Sequence, residues 1–181
     1  MAETAERLWT VEEFLARGEQ PGLREELHAG RIVAMAPPRD RHGTIVGNAV
    51  YAIRRGLRSP CRVVVDPGVK IDDATLFVPD LVVACGPRDA EGRTVEPTLV
   101  VEVLSLGTRS LDLGLKEDAY SELSACREIW LVDSERRWVR IWRRLAESWS
   151  VTLPIRAGGS FASAVLDAEI GLDELYADTG L

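Results

Sequence analysis

Glu102 lies in the middle of Thr98-Leu99-Val100-Val101-Glu102-Val103-Leu104, a run otherwise apolar on both faces of a strand. Such a strand is expected to be covered on both sides. A buried carboxylate there is costly unless it is paired, protonated or bound to a cation. The same interruption recurs at Asp80 within Phe77-Val78-Pro79-Asp80-Leu81-Val82-Val83. Pro79 cannot donate to a sheet ladder, so the position reads as an edge, a bulge or a strand start, a bend of the kind that aims a side chain. Two carboxylates on neighbouring strands can converge on one hard cation, and Mg²⁺ is typically held by one or two carboxylates with waters and substrate phosphate. A cation so placed polarises a phosphate ester and activates water against it.

A third residue joins the pair through its rarity. Of the 22 basic residues only Lys70 and Lys116 are lysines. A chain this rich in Arg uses Lys almost nowhere for mere surface charge. A compact ammonium can orient a water or release a proton, which a guanidinium cannot. Lys116 follows Glu102 through a loop and falls in a helix expected to pack back over the strands. Salt bridges to the many arginines explain either acid taken alone. The conjunction of Asp80, Glu102 and Lys116 favours chemistry.

The elements that must position these groups are readable from pattern. Thr10-Val11-Glu12-Glu13 fits a capping box opening a short helix that ends near Gly18. Glu25 to Ala36 reads as a hairpin with Ala29-Gly30 at its turn. Ile45, Ala49, Ile53 and Leu57 recur at helical spacing over His42–Leu57, with Arg41, Arg54, Arg55 and Arg58 toward the wet side. Arg62–Val65 and Gly68–Ile71 read as strand segments interrupted at Asp66-Pro67, followed by a turn at Asp72-Asp73. Leu76–Ala84 reads as one strand, Gly86–Pro97 as an exposed loop and Thr98–Leu104 as a buried strand. Thr108–Ala125 is expected to be a loop entering a helix, with Leu111, Leu115 and Leu123 at apolar positions. Glu128–Val132, Trp138–Trp142 and Ser148–Leu153 read as three strands, Pro154–Ser160 as a loop and Leu172–Tyr176 as a final helix. No repeat or linker divides the chain. One α/β domain with a mixed central sheet accommodates the order.

Composition sets outer limits. At 181 residues the chain can bury a substantial core. No apolar run approaches a membrane span, and Glu3, Glu6 and Arg7 argue against a secretory leader. The three cysteines, Cys61, Cys85 and Cys126, lack ligand-like spacing and are expected as free or buried thiols in a reducing cytoplasm. The net charge of −7 counts against a protein that coats nucleic acid nonspecifically. It does not count against a phosphate-cleaving site, because a bound cation offsets clustered acids. Arg136, Arg137, Arg140, Arg143 and Arg144 form one dense basic stretch.

Taken together, Val78-Pro79-Asp80, Val101-Glu102-Val103-Leu104-Ser105-x-x-Thr108, Asp112-x-x-x-Lys116-x-x-x-Tyr120 and Glu128-Ile129-Trp130-Leu131-Val132-Asp133 closely resemble the bacterial family of "putative restriction endonucleases", abundant in cyanobacteria, within the PD-(D/E)XK nuclease superfamily. Glu26-Leu27-His28-Ala29-Gly30 resembles its hairpin motif, and His42 stands where the family usually opens its next helix with a His. The resemblance runs from about Thr10 to the C-terminus. It implies a restriction-endonuclease-like α/β fold, a mixed central β-sheet flanked by helices, with Asp80 and Glu102 as ligands of Mg²⁺ or Mn²⁺. The superfamily motif places Lys two residues after the Glu, where this chain has Leu104. Lys116 matches the family's displaced Lys on the following helix. Glu26 matches a further acid brought to the site, as an outer ligand or water anchor, with an exposed hairpin charge as the alternative.

The leading expectation is therefore one nuclease-like domain over residues 1–181, an endonuclease acting on nucleic acid, with DNA as the expected substrate. It would be cytoplasmic, without a membrane association, and a homodimer would suit duplex cleavage because two strands need two sites. The competing readings are a noncatalytic nucleic-acid-binding or interaction module on the same fold, and a structural oligomer whose buried acids pair with Arg. Other residues receive plainer assignments. His42 stands at a helix start, or else does acid–base work or touches phosphate. Ser105 and Thr108 order the loop, and Asp112 complements a helix N-terminus. Tyr120 packs, Lys70 is a strand surface residue, and Trp138, Trp142 and Trp149 belong to strand faces rather than to a base-stacking platform.

Overall fold

The computed structural model describes residues 7–18, 20–105 and 112–181. Helix α1 (Val11–Ala16) begins as its capping box requires. Thr10 Oγ1 accepts from the Glu13 N–H at 3.2 Å, and Glu13 Oε2 accepts from the Thr10 N–H at 2.9 Å. Strands β1 (Arg24–His28) and β2 (Arg31–Met35) form the expected antiparallel hairpin. Its turn holds Ala29 and Gly30 at φ 47° and 82°. Two successive left-handed residues match the twist of the flanking strands and favour glycine. Helix α2 (Asp40–Gly56) buries Ile45, Ala49 and Ile53 along one stripe and leaves Arg54 and Arg55 in solvent.

The run read as a single strand over Leu76–Ala84 is two. Strand β5 (Leu76–Phe77) belongs to a four-stranded sheet with β1, β2 and β4 (Val69–Lys70). Strand β6 (Leu81–Ala84) instead pairs with β3 (Arg62–Val65) and with β7 (Leu99–Leu104) in the central sheet. The break falls at Val78-Pro79-Asp80. Pro79 has no N–H, and side chains claim the backbone of Val78. Its N–H donates to Glu26 Oε1 at 2.8 Å and its carbonyl accepts from Arg24 Nη2.

The central sheet is mixed, as expected. It runs β10-β9-β8-β7-β6-β3, with β8 at Glu128–Asp133, β9 at Trp138–Arg144 and β10 at Trp149–Val151. Strands β7 and β8 are parallel and the other neighbours antiparallel. Strand β11 (Ile155–Arg156) adds to β9 within a segment read as loop. A hairpin of β12 (Ser160–Ser163) and β13 (Ala168–Gly171) was not foreseen, because alternation over four residues is too short to stand out.

All six residues of β7 are buried. Leu99, Val101 and Val103 pack with α2, Phe161 and helix α4 (Leu172–Leu175), closed by Tyr176. Val100 and Leu104 pack with Phe77 and with Tyr120 of helix α3 (Glu117–Glu122). Each large side chain so buried contributes about 1.5–3 kcal/mol. Helices thus flank the sheet on both faces, and Glu102 shares the parity of Val100 and Leu104, which directs it to the α3 side. Before α3, Asp112–Lys116 winds as a π turn. This wider turn leaves Leu115 exposed rather than packed and carries Lys116 inward. Leu111 and Thr108 lie outside the described residues, as does the side chain of Asp112.

One expectation about cysteine is overturned. Cys61 and Cys85 form a disulfide, and Cys126 is the buried free thiol. The bonded pair flanks the Arg62–Ala84 register at the end of the β3–β6 ladder. Antiparallel pairing thus places side by side two cysteines that are 24 residues apart in sequence. No described helix is long and apolar enough to cross a membrane.

Candidate active site

The broken strand brings Asp80 to its place. The β6–β7 register pairs Leu81 with Val101, so Asp80 stands at the frayed end of the ladder beside Glu102. Its Oδ2 accepts from the Val103 N–H at 2.7 Å, supplying the bond the strand no longer does. Its Oδ1 accepts from Arg24 Nη1 at 3.0 Å, and Arg24 also reaches Asp66 at 3.2 Å. Glu102 comes from the middle of β7. Its Oε1 accepts from the Tyr120 hydroxyl at 2.8 Å and from Lys116 Nζ at 3.3 Å. Lys116 donates in addition to Glu26 Oε1 at 2.9 Å. Glu26 Oε2 lies 2.7 Å from His28 Nε2. His42, from the first turn of α2, places Nε2 3.3 Å from Asp80 Oδ2, while its buried Nδ1 has no hydrogen-bond partner among the described residues.

Arg24, Glu26, His28, His42, Asp80, Glu102 and Lys116 line one cavity of about 320 Å³, together with Val33, Met35, Ala36, Pro37 and Pro38. Glu26, Lys116, Glu102 and Asp80 lie deep within it, only 1%, 2%, 3% and 4% exposed. Burial alone would push the acids toward their neutral forms. For Asp80, burial is outweighed by the hydrogen bond and charge of His42, the charge of Arg24 and the Val103 N–H, and the carboxyl is held below its ordinary range. For Glu26, burial is outweighed by the His28 bond and the Lys116 ammonium, again with a lowered value. Asp66 goes the other way: burial raises it despite Arg24.

All five residues singled out from sequence, Asp80, Glu102, Lys116, Glu26 and His42, line this cavity. Glu26 is not the exposed hairpin charge that was its alternative. Three partners were missed. Tyr120, read as packing, anchors Glu102. Arg24 holds Asp80 and had no signal separating it from the other arginines. His28 did have one: it is one of only two histidines in the chain, and both face the cavity. Two buried acids elsewhere are structural. Glu128 accepts from Arg143 Nε at 2.9 Å and Ser163 Oγ at 2.6 Å, and Asp133 caps its own turn through the Glu135 N–H at 2.9 Å and Arg136 Nε at 2.7 Å.

Four of the five arginines in the dense basic stretch are consumed in the same way. Arg136 pairs with Asp133, Arg137 with Asp173 and Arg143 with Glu128, while Arg144 donates to the carbonyls of Cys126, Ser121 and Leu123. Trp138, Trp142 and Trp149 pack against the second core cluster, with Arg140 over Trp138 and Arg144 over Trp149. Lys70 is exposed and pairs with Asp73.

Comparison with known proteins bears on what this arrangement belongs to. A family model described as "Uma2: Putative restriction endonuclease" matches residues 11–173. The chain belongs to this family. Among solved structures it is similar to the crystal structure of a "putative nuclease belonging to DUF820" from Anabaena variabilis, at 19% identity and a TM-score of 0.68, over 93% of this chain and 97% of that one. At that identity the likeness concerns the fold. No curated protein matches. Among the described residues no group of three or more His, Cys, Asp and Glu side chains is arranged to hold a metal ion. Asp80 and Glu102 are nevertheless hard oxygen donors on one cavity wall, and a two-carboxylate set completed by water and phosphate is what Mg²⁺ ordinarily accepts. The donor chemistry fits.

Proposed function

We propose that this protein is a metal-dependent endonuclease that hydrolyses nucleic-acid phosphodiester bonds, with DNA as substrate, on one nuclease-like domain spanning the chain. What carries the reading is a single conjunction: Asp80 and Glu102 from neighbouring strands share a cavity with Lys116, whose ammonium is 2.9 Å from Glu26 and 3.3 Å from Glu102. Asp80 and Glu102 would hold Mg²⁺ or Mn²⁺, which when bound supplies Lewis-acid polarisation of the phosphate. Glu26 and Glu102 hold the Lys116 ammonium in place deep in the cavity. There the ammonium orients the attacking water and offsets charge growing on the phosphate oxygens. Tyr120 and His28 restrict the rotamers of Glu102 and Glu26, so neither acid reorganises as charge develops. Water oxygen bonds to phosphorus as it releases a proton to solvent, the P–O ester bond breaks, and the departing oxygen takes a proton back from solvent.

A second reading, a noncatalytic nucleic-acid-binding or interaction module, is favoured by one observation. Asp80 and Glu102 already carry cations of the chain's own, Arg24 and Lys116. A homodimer belongs to the nuclease reading only if duplex is cut. A cytoplasmic setting belongs to it too, and the Cys61–Cys85 bond weighs against that, since disulfides are rare in reducing compartments.

The test is cleavage of plasmid and of short oligonucleotides with Mg²⁺ or Mn²⁺, comparing wild type with Asp80→Ala and Lys116→Ala. Metal-dependent cutting of at least one of these substrates, abolished by both substitutions, is the expected result. Metal binding without cutting, or equal cutting by the variants, transfers the conclusion to the binding module.

A further inference from the structure

We infer that the strand admitted to this cavity is unpaired: the substrate is single-stranded nucleic acid, or the unpaired end or flap of a duplex, and not continuous duplex. This rests on the nuclease reading for its chemistry and on three separate features for its selectivity.

The first is depth. Asp80, Glu102 and Lys116 are each at most 4% exposed. A cavity of about 320 Å³ is at the small end of ligand pockets and has room for about one nucleotide. Duplex DNA is stiff over roughly 50 nm. Its phosphates are carried on a broad rod and cannot sink singly to the bottom of such a space. An unpaired strand turns freely about its backbone and can insert one nucleotide.

The second is the apolar part of the lining, which continues from Val33 and Met35, the cross-strand neighbours of Glu26 and Arg24. Val33, Met35, Ala36 and Pro37 present apolar surface inside a site otherwise built of charge. A phosphate has no use for it. The face of an unstacked base does, since extruded or unpaired bases are held against apolar and aromatic side chains.

The third is the supply of cations. Duplex binding spreads over many phosphates and needs a broad basic surface. Arg136, Arg137, Arg143 and Arg144 are bound to the protein's own carboxylates and carbonyls. At the cavity mouth stands Arg39, exposed and without an ion-pair partner among the described residues. One free guanidinium at the rim suits the flanking phosphate of one entering strand.

The test measures binding and cutting separately. Fluorescence anisotropy with Ca²⁺ compares a labelled single-stranded DNA 12-mer, the same sequence as blunt duplex, and a duplex carrying a flap. Cleavage of the same three is then followed with Mn²⁺. Single strand and flap should bind at least about tenfold more tightly than blunt duplex, the scale of one stacked base. Arg39→Glu and Pro37→Glu, both at exposed positions, should each erase most of that preference with the melting temperature unchanged. Equal or tighter binding of blunt duplex overturns the inference, as does binding of none of the three. Faster cutting of duplex overturns it while leaving the nuclease reading intact. Selective binding of single strand without any cutting does the reverse: the strand selectivity stands and the nuclease reading fails.

Discussion

Lys116→Met removes the ammonium that Glu26 and Glu102 share while keeping most of the side chain's bulk. In the native protein, burial would raise Glu26 above its ordinary value of 4.5, but the His28 bond and the Lys116 charge outweigh it and the group titrates lower. A lowered carboxylate contributes stability above its unfolded value and loses it as pH falls through the folded one. The substitution reverses that sign. Two buried carboxylates facing one another without their cation disfavour ionisation, so the pair should titrate above the ordinary range. Removing one partner from a buried charge pair typically costs about 3–5 kcal/mol. Urea unfolding at pH 7 should show a loss of that size, and the gap to wild type should narrow at pH 5 as the carboxyls take up protons. Adding Glu26→Gln should restore about half of the loss, because one of the two stranded charges is gone. A loss below about 1 kcal/mol, or one equal at both pH values, would refute the shared-cation account of this site.

Tyr120→Phe deletes the bond to Glu102 without altering the packing of the ring, and should lower stability by about 1.5–3 kcal/mol, as for bonds to charged acceptors; thermal unfolding reads it, and an unchanged melting temperature would return Tyr120 to simple packing. Thr10→Ala removes the capping box of α1 and should cost about 1 kcal/mol, again by thermal unfolding, with no effect on binding at the distant cavity. Thiol titration without reductant should find no reactive thiol in the native protein, because Cys126 is buried and burial pushes its pKa up to about 12. Unfolding should expose that one thiol, and unfolding with reductant all three; three thiols without reductant would remove the Cys61–Cys85 bond.

Much of this protein was legible without coordinates, and the legible parts share a cause. The α1 capping box, the Ala29-Gly30 hairpin and the α2 stripe are local, written in residues three or four apart or two at a turn. Asp80 and Glu102 stood out because a charge inside an apolar run violates a strong local rule, and Lys116 because the chain otherwise uses arginine. Where reading failed, the deciding partner was distant in sequence. Leu76–Ala84 looks like one strand until Glu26, 52 residues earlier, takes the Val78 N–H. Arg24 is 56 residues from the Asp80 carboxylate it holds. The Arg136–Arg144 stretch looks like one dense basic patch until its acceptors arrive from β8, α3 and the C-terminal segment. Sequence determines which residues must be buried and which of those are chemically out of place. Only tertiary structure decides which buried charge meets which, because pairing depends on sheet register and helix packing between segments that no local pattern connects.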